Sequence, residues 1–315
     1  LSSAASDVYK RQGMKYRMIF ISAGCRELTD EVVNFELSSG GLVWSGNARP
    51  IPQVRAGFID FVDIPFTKGW VQIKGELAYG KFMDNDFLRD HYNYYNQYIT
   101  TDALYHHKSI SFRSNPDKPF VVTIGAELAA QFGGTKRYYE KGILIDSLTM
   151  KSPTRLKDFF KILFPSSGDG QTNEGDQAYY YGNHVGQWNL SAEYRFKDNS
   201  SVRGYFEWYF DDASGMGKFN GWDGLWGLEY KSGKKNWLSN VVLEYLDMTN
   251  QSGPLNWCPS DYNDPKLDIE ATGADDYYNN YFYNGWAHYG LSNGTAMAKS
   301  LSLIHISEPT RHSLI

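Results

Sequence analysis

The sequence predicts an all-β protein, an antiparallel transmembrane β-barrel of which about ten strands are present, with one short amphipathic helix. Two observations lead there. Between Gln187 and Phe210 two consecutive runs alternate strictly: Trp188, Leu190, Ala192, Tyr194 and Phe196, then Val202, Gly204, Phe206, Trp208 and Phe210, share one parity, while Gln187, Asn189, Ser191, Glu193, Arg195, Arg203, Tyr205, Glu207 and Tyr209 take the other. Successive strand side chains point to opposite faces, so each run has one apolar and one polar face. Each run also lasts about ten residues, the span of a tilted strand crossing a bilayer.

Composition is the third observation. The chain is 16% aromatic, with 24 Tyr and 9 Trp, yet its mean hydropathy is −0.50. No stretch approaches the run of about 18 apolar residues that a membrane helix needs. A barrel reconciles the two, because half of each strand stays polar for the interior while Tyr and Trp gather at the interfaces. A net charge of −5 without a basic stripe argues against a nucleic-acid partner. Two cysteines, Cys25 and Cys258, are too few for a disulfide scaffold.

The elements follow in chain order. Weak alternation runs from Tyr16 to Ser22 and from Val54 to Ile64. Val71, Ile73, Leu77 and Tyr79 alternate with Gln72, Lys74, Glu76 and Ala78. A weak run at Lys108 to Phe112 precedes a long one, Phe120 to Phe132, with Thr123, Glu127 and Gln131 on its polar side. After Lys151, Leu156, Phe159, Phe160, Leu163 and Phe164 have helical spacing; Ser152 is the expected cap, Pro153 the first helical residue and Pro165 the stop. Such a helix is expected under the periplasmic mouth or in the membrane interface. Trp222 to Tyr230 and Trp237 to Tyr245 flank a Lys-Gly-rich turn, and a last weak run spans Tyr281 to Gly290.

Equal parity across the hairpin near Asn199 requires an odd loop or a bulge. Opposite-charge pairing suggests a register with Arg195 opposite or diagonal to Glu207. Residues 1–12 and 301–315 continue no pattern and resemble translated sequencing-adapter scars, leaving 13–300 as the barrel fragment.

LSSGGLVWSGNARPIPQVRAG (Leu37 to Gly57), IPFTKGWVQIKGELAYGKF (Ile64 to Phe82), AAQFGG (Ala129 to Gly134), LKDFFKILFPSSGDG (Leu156 to Gly170), EGDQ (Glu174 to Gln177) and DDYYNNYFYNGWAHYG (Asp275 to Gly290) resemble the capsule assembly Wzi family, in the form carried by Bacteroides-type Gram-negative bacteria. The resemblance implies a roughly eighteen-stranded barrel in the outer membrane, in contact with its lipid, that holds capsular or other surface polysaccharide in a lectin-like, non-catalytic way. No cofactor or metal is expected, and the chain is expected to act as a monomer.

Three groups of residues are candidates for function. Glu76, Glu127, Glu193, Arg195, Arg203, Glu207, Glu229 and Glu244 sit on the polar parity and should form a lumen-facing charge network. Arg49 and Arg55 flank two prolines in an extended segment expected at a strand edge or in an inward-folded loop, and guanidinium forks suit carboxylates, whether luminal glutamates or acidic sugars. Tyr92, Tyr94, Tyr95 and Tyr98, with Tyr277 and Tyr278, mix aromatic rings with neighbouring amides, a combination suited to stacking on sugars.

Weaker signals remain. His106, His107, His184 and His288 should be hydrogen-bonded near strand ends, with no hydrolase motif beside them. The acidic stretch of Asp261, Asp264, Asp268, Glu270, Asp275 and Asp276 has no Ca²⁺-loop spacing and reads as a solvated loop. A saccharide or diffusion channel and a barrel hydrolase are the alternatives to the anchor.

Overall fold

The computed structural model describes residues 11–249 and 277–295, apart from positions 29, 35, 39, 47, 84, 174–175, 178–179, 212–215, 217–220, 235–237 and 279. Its strands are β1 (Arg11–Tyr16), β2 (Ile19–Gly24), β3 (Gln53–Phe58), β4 (Val62–Asp63), β5 (Val71–Lys81), β6 (Gln97–Ser114), β7 (Phe120–Glu140), β8 (Ile143–Leu144), β9 (Met150–Lys151), β10 (Asn183–Arg195), β11 (Ser201–Asp211), β12 (Gly224–Lys231), β13 (Asn240–Asp247), β14 (Ala287–His288) and β15 (Leu291–Ser292). Among the described residues α1 (Phe87–Tyr92) and α2 (Leu156–Leu163) accompany them.

One antiparallel sheet runs β1-β2-β3-β5-β6-β7-β10-β11-β12-β13, with β4, β8 and β9 as short side pairings. The main strands pair in chain order, so the wall is a meander. Among the described residues β1 and β13 end the path and the sheet does not close. β1 starts at Arg11, two residues inside the segment read as adapter-like; the rest of that segment and all of 301–315 lie outside the described residues.

The alternation holds in three dimensions, with an inverted sense of burial. On one face Ile124 is 53%, Leu190 45% and Leu243 50% exposed, whereas Gln187 and Glu207 on the other are 0% exposed. The bare face is therefore the apolar one. The polar face is covered by the described residues of the β2–β3 connection (25–52) and of 277–295, whose Leu42, Val43, Trp44 and Trp286 join Tyr105, Ala129, Val185, Tyr209 and Leu225 in the main core.

Parity survives the β10–β11 hairpin because Phe196 N–H bonds the Ser200 carbonyl across a three-residue loop, in which Asn199 takes the left-handed region at φ 63°. The odd loop is as expected; the register is not. Arg195 lies opposite Ser201, Glu193 opposite Arg203 and Asn189 opposite Glu207. The loop length puts Glu193 opposite Arg203 in the ladder, while the Arg203 guanidinium turns to Glu229 on the next strand.

The Tyr281–Gly290 run is not a wall strand. Asn284, Gly285, Tyr289 and Gly290 all have positive φ, which breaks the extension, and Trp286 is buried against the covering segment.

Helix α2 begins later than expected. Its N-cap is Arg155, whose backbone N–H bonds the Asp158 carboxylate at 2.8 Å, while Ser152 N–H pairs with the Gly134 carbonyl. Ile162 packs with Ala130, Phe132 and Tyr181, and Phe159 meets Tyr79 and Phe132 at ring distances of 5.4 and 5.2 Å. The helix thus docks on the bare face of the sheet. It also engages a lysine on that face, because the Lys108 ammonium donates to the Leu163 and Ile162 carbonyls at the helix C-terminus. Leu156, Phe160 and Phe164 stay exposed.

A charge clamp holds the helix N-terminus. Asp169 accepts from Arg155 at 2.7 Å and Lys157 at 2.9 Å. The Lys157 hydrogen bond, ahead of the Arg155 bond, holds the Asp169 carboxyl below its usual range. Burial pushes Asp158 up, but the Arg155 hydrogen bonds outweigh it and the net direction is also down. A lowered folded pKa contributes stability above the unfolded value, about 3.9, that is lost as pH falls through the folded value. Amide hydrogen exchange across 156–164 should accordingly be protected at pH 5 and lose part of that protection near pH 2.5; equal protection at both would disprove the clamp.

Candidate functional site

The covered face holds the densest chemistry in the molecule, and the sheet ladder builds it. β5, β6 and β7 place Glu76, His107 and Glu127 side by side: His107 Nδ1 lies 3.2 Å from Glu76 and Nε2 2.7 Å from Glu127. Arg55, in β3, pairs with the other side of Glu76. The result is an alternating row, Arg55–Glu76–His107–Glu127, across four adjacent strands.

The covering segment supplies the remaining donors. Trp44 Nε1 donates to Glu127 at 2.8 Å, Leu42 N–H to Glu207 at 2.9 Å and Val43 N–H to Gln187 at 3.1 Å. Further along, Asn34 donates to Glu229 at 2.6 Å, Ser38 to Glu244 at 2.7 Å, and Glu31 accepts from Lys74 at 3.0 Å and Ser111 at 2.7 Å. Buried carboxylates need such donors, since an unpaired charge out of water is strongly disfavoured. The strap thus brings donors to several of the wall's buried acceptors.

Two glycines permit the fit. A Cβ on Gly41 would sit 1.5 Å from an Asp30 carboxylate oxygen, so only glycine lets the strap close over Asp30. A Cβ on Gly227 would lie 2.0 Å from the Tyr205 ring, which instead lies flat over the bare backbone and reaches Glu244 with its hydroxyl at 2.5 Å.

The predicted charge network is brought together in part. Glu76, Glu127, Glu207, Glu229 and Glu244 all engage the strap or its neighbours, and Arg203 joins through Glu229 with Nε at 2.9 Å. Glu193 and Arg195 lie apart at the short-turn rim, 3.9 Å from each other, with Arg195 donating to the Pro116 carbonyl at 2.6 Å.

The predicted sugar contacts divide. Tyr94 and Tyr95 are exposed, Tyr92 is half-buried beside Phe87 and Tyr95, and Tyr98 packs edge-on to Tyr138 and Tyr281 at 5.1 and 5.5 Å. Arg49 lies over the Tyr289 ring at 4.6 Å. Tyr277, Tyr278 and Arg55 are buried; Tyr278 donates to the Leu42 carbonyl and Arg55 serves Glu76. Their burial gives these three to the internal network and removes them from any surface that an external polymer can touch. Arg55 also sits in a strand paired on both sides, not at an edge.

His106 and His184 bond the carbonyls of Ala78 and Tyr181, and His288 that of Met83. Neither His106 nor His107 is near a strand end: both lie mid-strand in β6, and His107 belongs to the charge row. The acidic stretch from Asp261 to Asp276, and Cys258, lie outside the described residues.

Sequence reasoning missed the strap and Asp30. The available signal was the apolar Leu42-Val43-Trp44 run between glycines, in a stretch without period two. Burial, with Glu207 and then Glu127 close by, pushes the Asp30 carboxyl well above its usual range. A raised folded pKa means that stability declines as pH climbs from about 4, the unfolded value, towards the folded one. Asp30→Asn removes this ionisation, so its stability relative to wild type should rise steadily from pH 4 to pH 8 in urea-unfolding titrations; parallel curves for the two proteins would refute the assignment. The chain matches no protein-family model, no curated protein and no solved structure.

Proposed function

We propose that this chain is part of an outer-membrane β-barrel of the capsule assembly Wzi type, which anchors surface polysaccharide without chemistry. The observation that carries the reading is the inverted sheet: an apolar face left bare and a charged face sealed by the chain's own strap. A soluble sheet buries its apolar face, whereas a membrane wall turns it to lipid. Aliphatic Ile124, Leu190, Leu228 and Leu243 are bordered by exposed Phe120, Tyr194 and Phe196 towards the short turns and Trp222 beyond the other end, as interfacial girdles are. The exposed Leu156, Phe160 and Phe164 of α2 extend the same apolar surface.

The strap favours an anchor over a diffusion channel, because a lumen occupied by Leu42, Trp44 and Trp286 leaves no polar conduit along this wall. Connection lengths support one orientation. The connections 17–18, 59–70, 115–119, 196–200 and 232–239 lie at one end, and the longer set, 25–52, 82–96, 141–182 and 212–223, at the other. Bacterial barrels keep short turns in the periplasm and long loops outside. Tyr92, Tyr94 and Tyr95 then face the exterior, where weak sugar contacts on many copies of the protein retain one long chain by avidity.

Leu190→Arg should cost about 2–4 kcal/mol of folding free energy into lipid near the midplane, and Thr123→Arg, half-buried on the other face at the same depth, far less. Equal costs would sink the barrel.

Deleting the gene in its host should leave polymer synthesis intact and shed more polymer into the medium. The Tyr92, Tyr94 and Tyr95 triple alanine variant should reproduce part of that shedding while folding normally. Unchanged retention together with lost growth on an oligosaccharide would favour an uptake channel instead.

A further inference from the structure

A cavity of about 490 Å³ opens where β5 ends and β6 and β7 run on past it, walled by Lys81, Arg89, Thr101, Asp102, Arg137 and Tyr139 among others. Its volume falls within the roughly 300–1,000 Å³ of small-ligand sites. The same connection that closes it, 82–96, carries Tyr94 and Tyr95, so cavity and exposed aromatics belong to one end of the sheet.

The backbone around the cavity is held in unusual conformations. Asn85, Asp86 and Asp102 have φ of 48°, 61° and 60°, and Asp102 falls where the β6–β7 ladder skips a pair, opposite Gly134 at φ 77°. Left-handed non-glycine residues are uncommon and concentrate at functional sites. Here they interrupt the ladder at the cavity wall.

Charge decides what the cavity takes. Lys81 is paired with Asp102 at 2.6 Å, and Arg89 with Asp86 at 3.2 Å and Asp90 at 2.9 Å. Arg137 donates to the Thr101 hydroxyl at 2.8 Å and has no acidic partner among the described residues. Of the lining cations, Lys81 is paired with Asp102 and Arg89 with Asp86 and Asp90, which leaves Arg137 as the one without an acidic partner among the described residues. A planar guanidinium with free N–H groups matches a carboxylate bidentately. The two aspartates oppose a dianionic phosphate more than a monoanionic carboxylate, and Phe82 and Tyr139 give the cavity an aromatic floor.

We propose that this cavity is a subsite for a carboxylated sugar, with Arg137 binding the uronate group and Thr101 and Asp102 available to sugar hydroxyls. The inference rests on the polysaccharide-anchoring reading and names the class of residue that the polymer carries.

The test uses the full chain folded in detergent, titrated with trigalacturonate and with its methyl ester, which keeps the rings and removes the charge. Trigalacturonate should bind at least about tenfold more tightly than the ester, and Arg137→Gln should bring the two affinities to within about twofold of each other. Equal binding of acid and ester, or no binding of either, overturns the subsite. Should Arg137→Gln fail to fold, the wild-type preference for acid over ester decides alone. Polymer shedding by the deletion strain is scored separately: increased shedding without acid preference retains the anchor and removes this subsite, and acid preference with normal shedding does the reverse.

Discussion

Glu127 and Glu207 stand on the buried face of a sheet, and everything placed over that face follows from the need to satisfy them. A carboxylate out of water requires donors of fixed geometry. Among the described wall residues only His107 bonds Glu127, and the strap adds the indole N–H of Trp44 there and the backbone N–H of Leu42 at Glu207. The rest of the strap is arranged around those two bonds. Gly41 permits the close approach to Asp30, Val43 reaches Gln187, and the carbonyls of Leu42 and Val43 are in turn bonded by Tyr278 and Trp286. Wall, strap and the 277–295 segment therefore form one interdependent unit.

The two faces divide the labour of the molecule. The bare face is mostly aliphatic and aromatic, and where α2 covers it the helix takes the Lys108 ammonium as a C-terminal cap. The covered face changes along its length. Towards the long connections it is apolar, with Tyr105, Ala129, Val185, Tyr209 and Leu225 receiving the strap's side chains; towards the short turns it is ionic, with Arg203, Glu229 and Glu193. A bare apolar surface, a covered interior and an exposed aromatic end are thus separated by the alternation of one residue and by position along the strand.

The candidate site was legible unevenly. Glu127, Glu207, Glu229 and Glu244 could be placed on one face from parity alone, because a strand's period is fixed by its backbone and parity carries across an odd loop such as the one closed by Asn199. Which acid met which base could not be placed. That depends on the register of pairing, and a change of loop length by one residue moves every pair. Arg55 illustrates the same limit: its type suggested a carboxylate partner, and only the β3–β5 pairing selected the buried Glu76 over a sugar outside.

The sequence by itself determined the all-β class, the order of the main strands and the identity of the apolar and polar faces, since these are local consequences of period two and turn chemistry. It left open the strap, the docking of α2 and the cavity at Arg137. The strap residues Trp44 and Leu42 find their partners 83 and 165 residues away, and α2 rests on strands distant in the chain. Contacts of that kind leave no local periodicity. They are chosen by the tertiary structure because buried charges have to find donors wherever the folded chain can bring them.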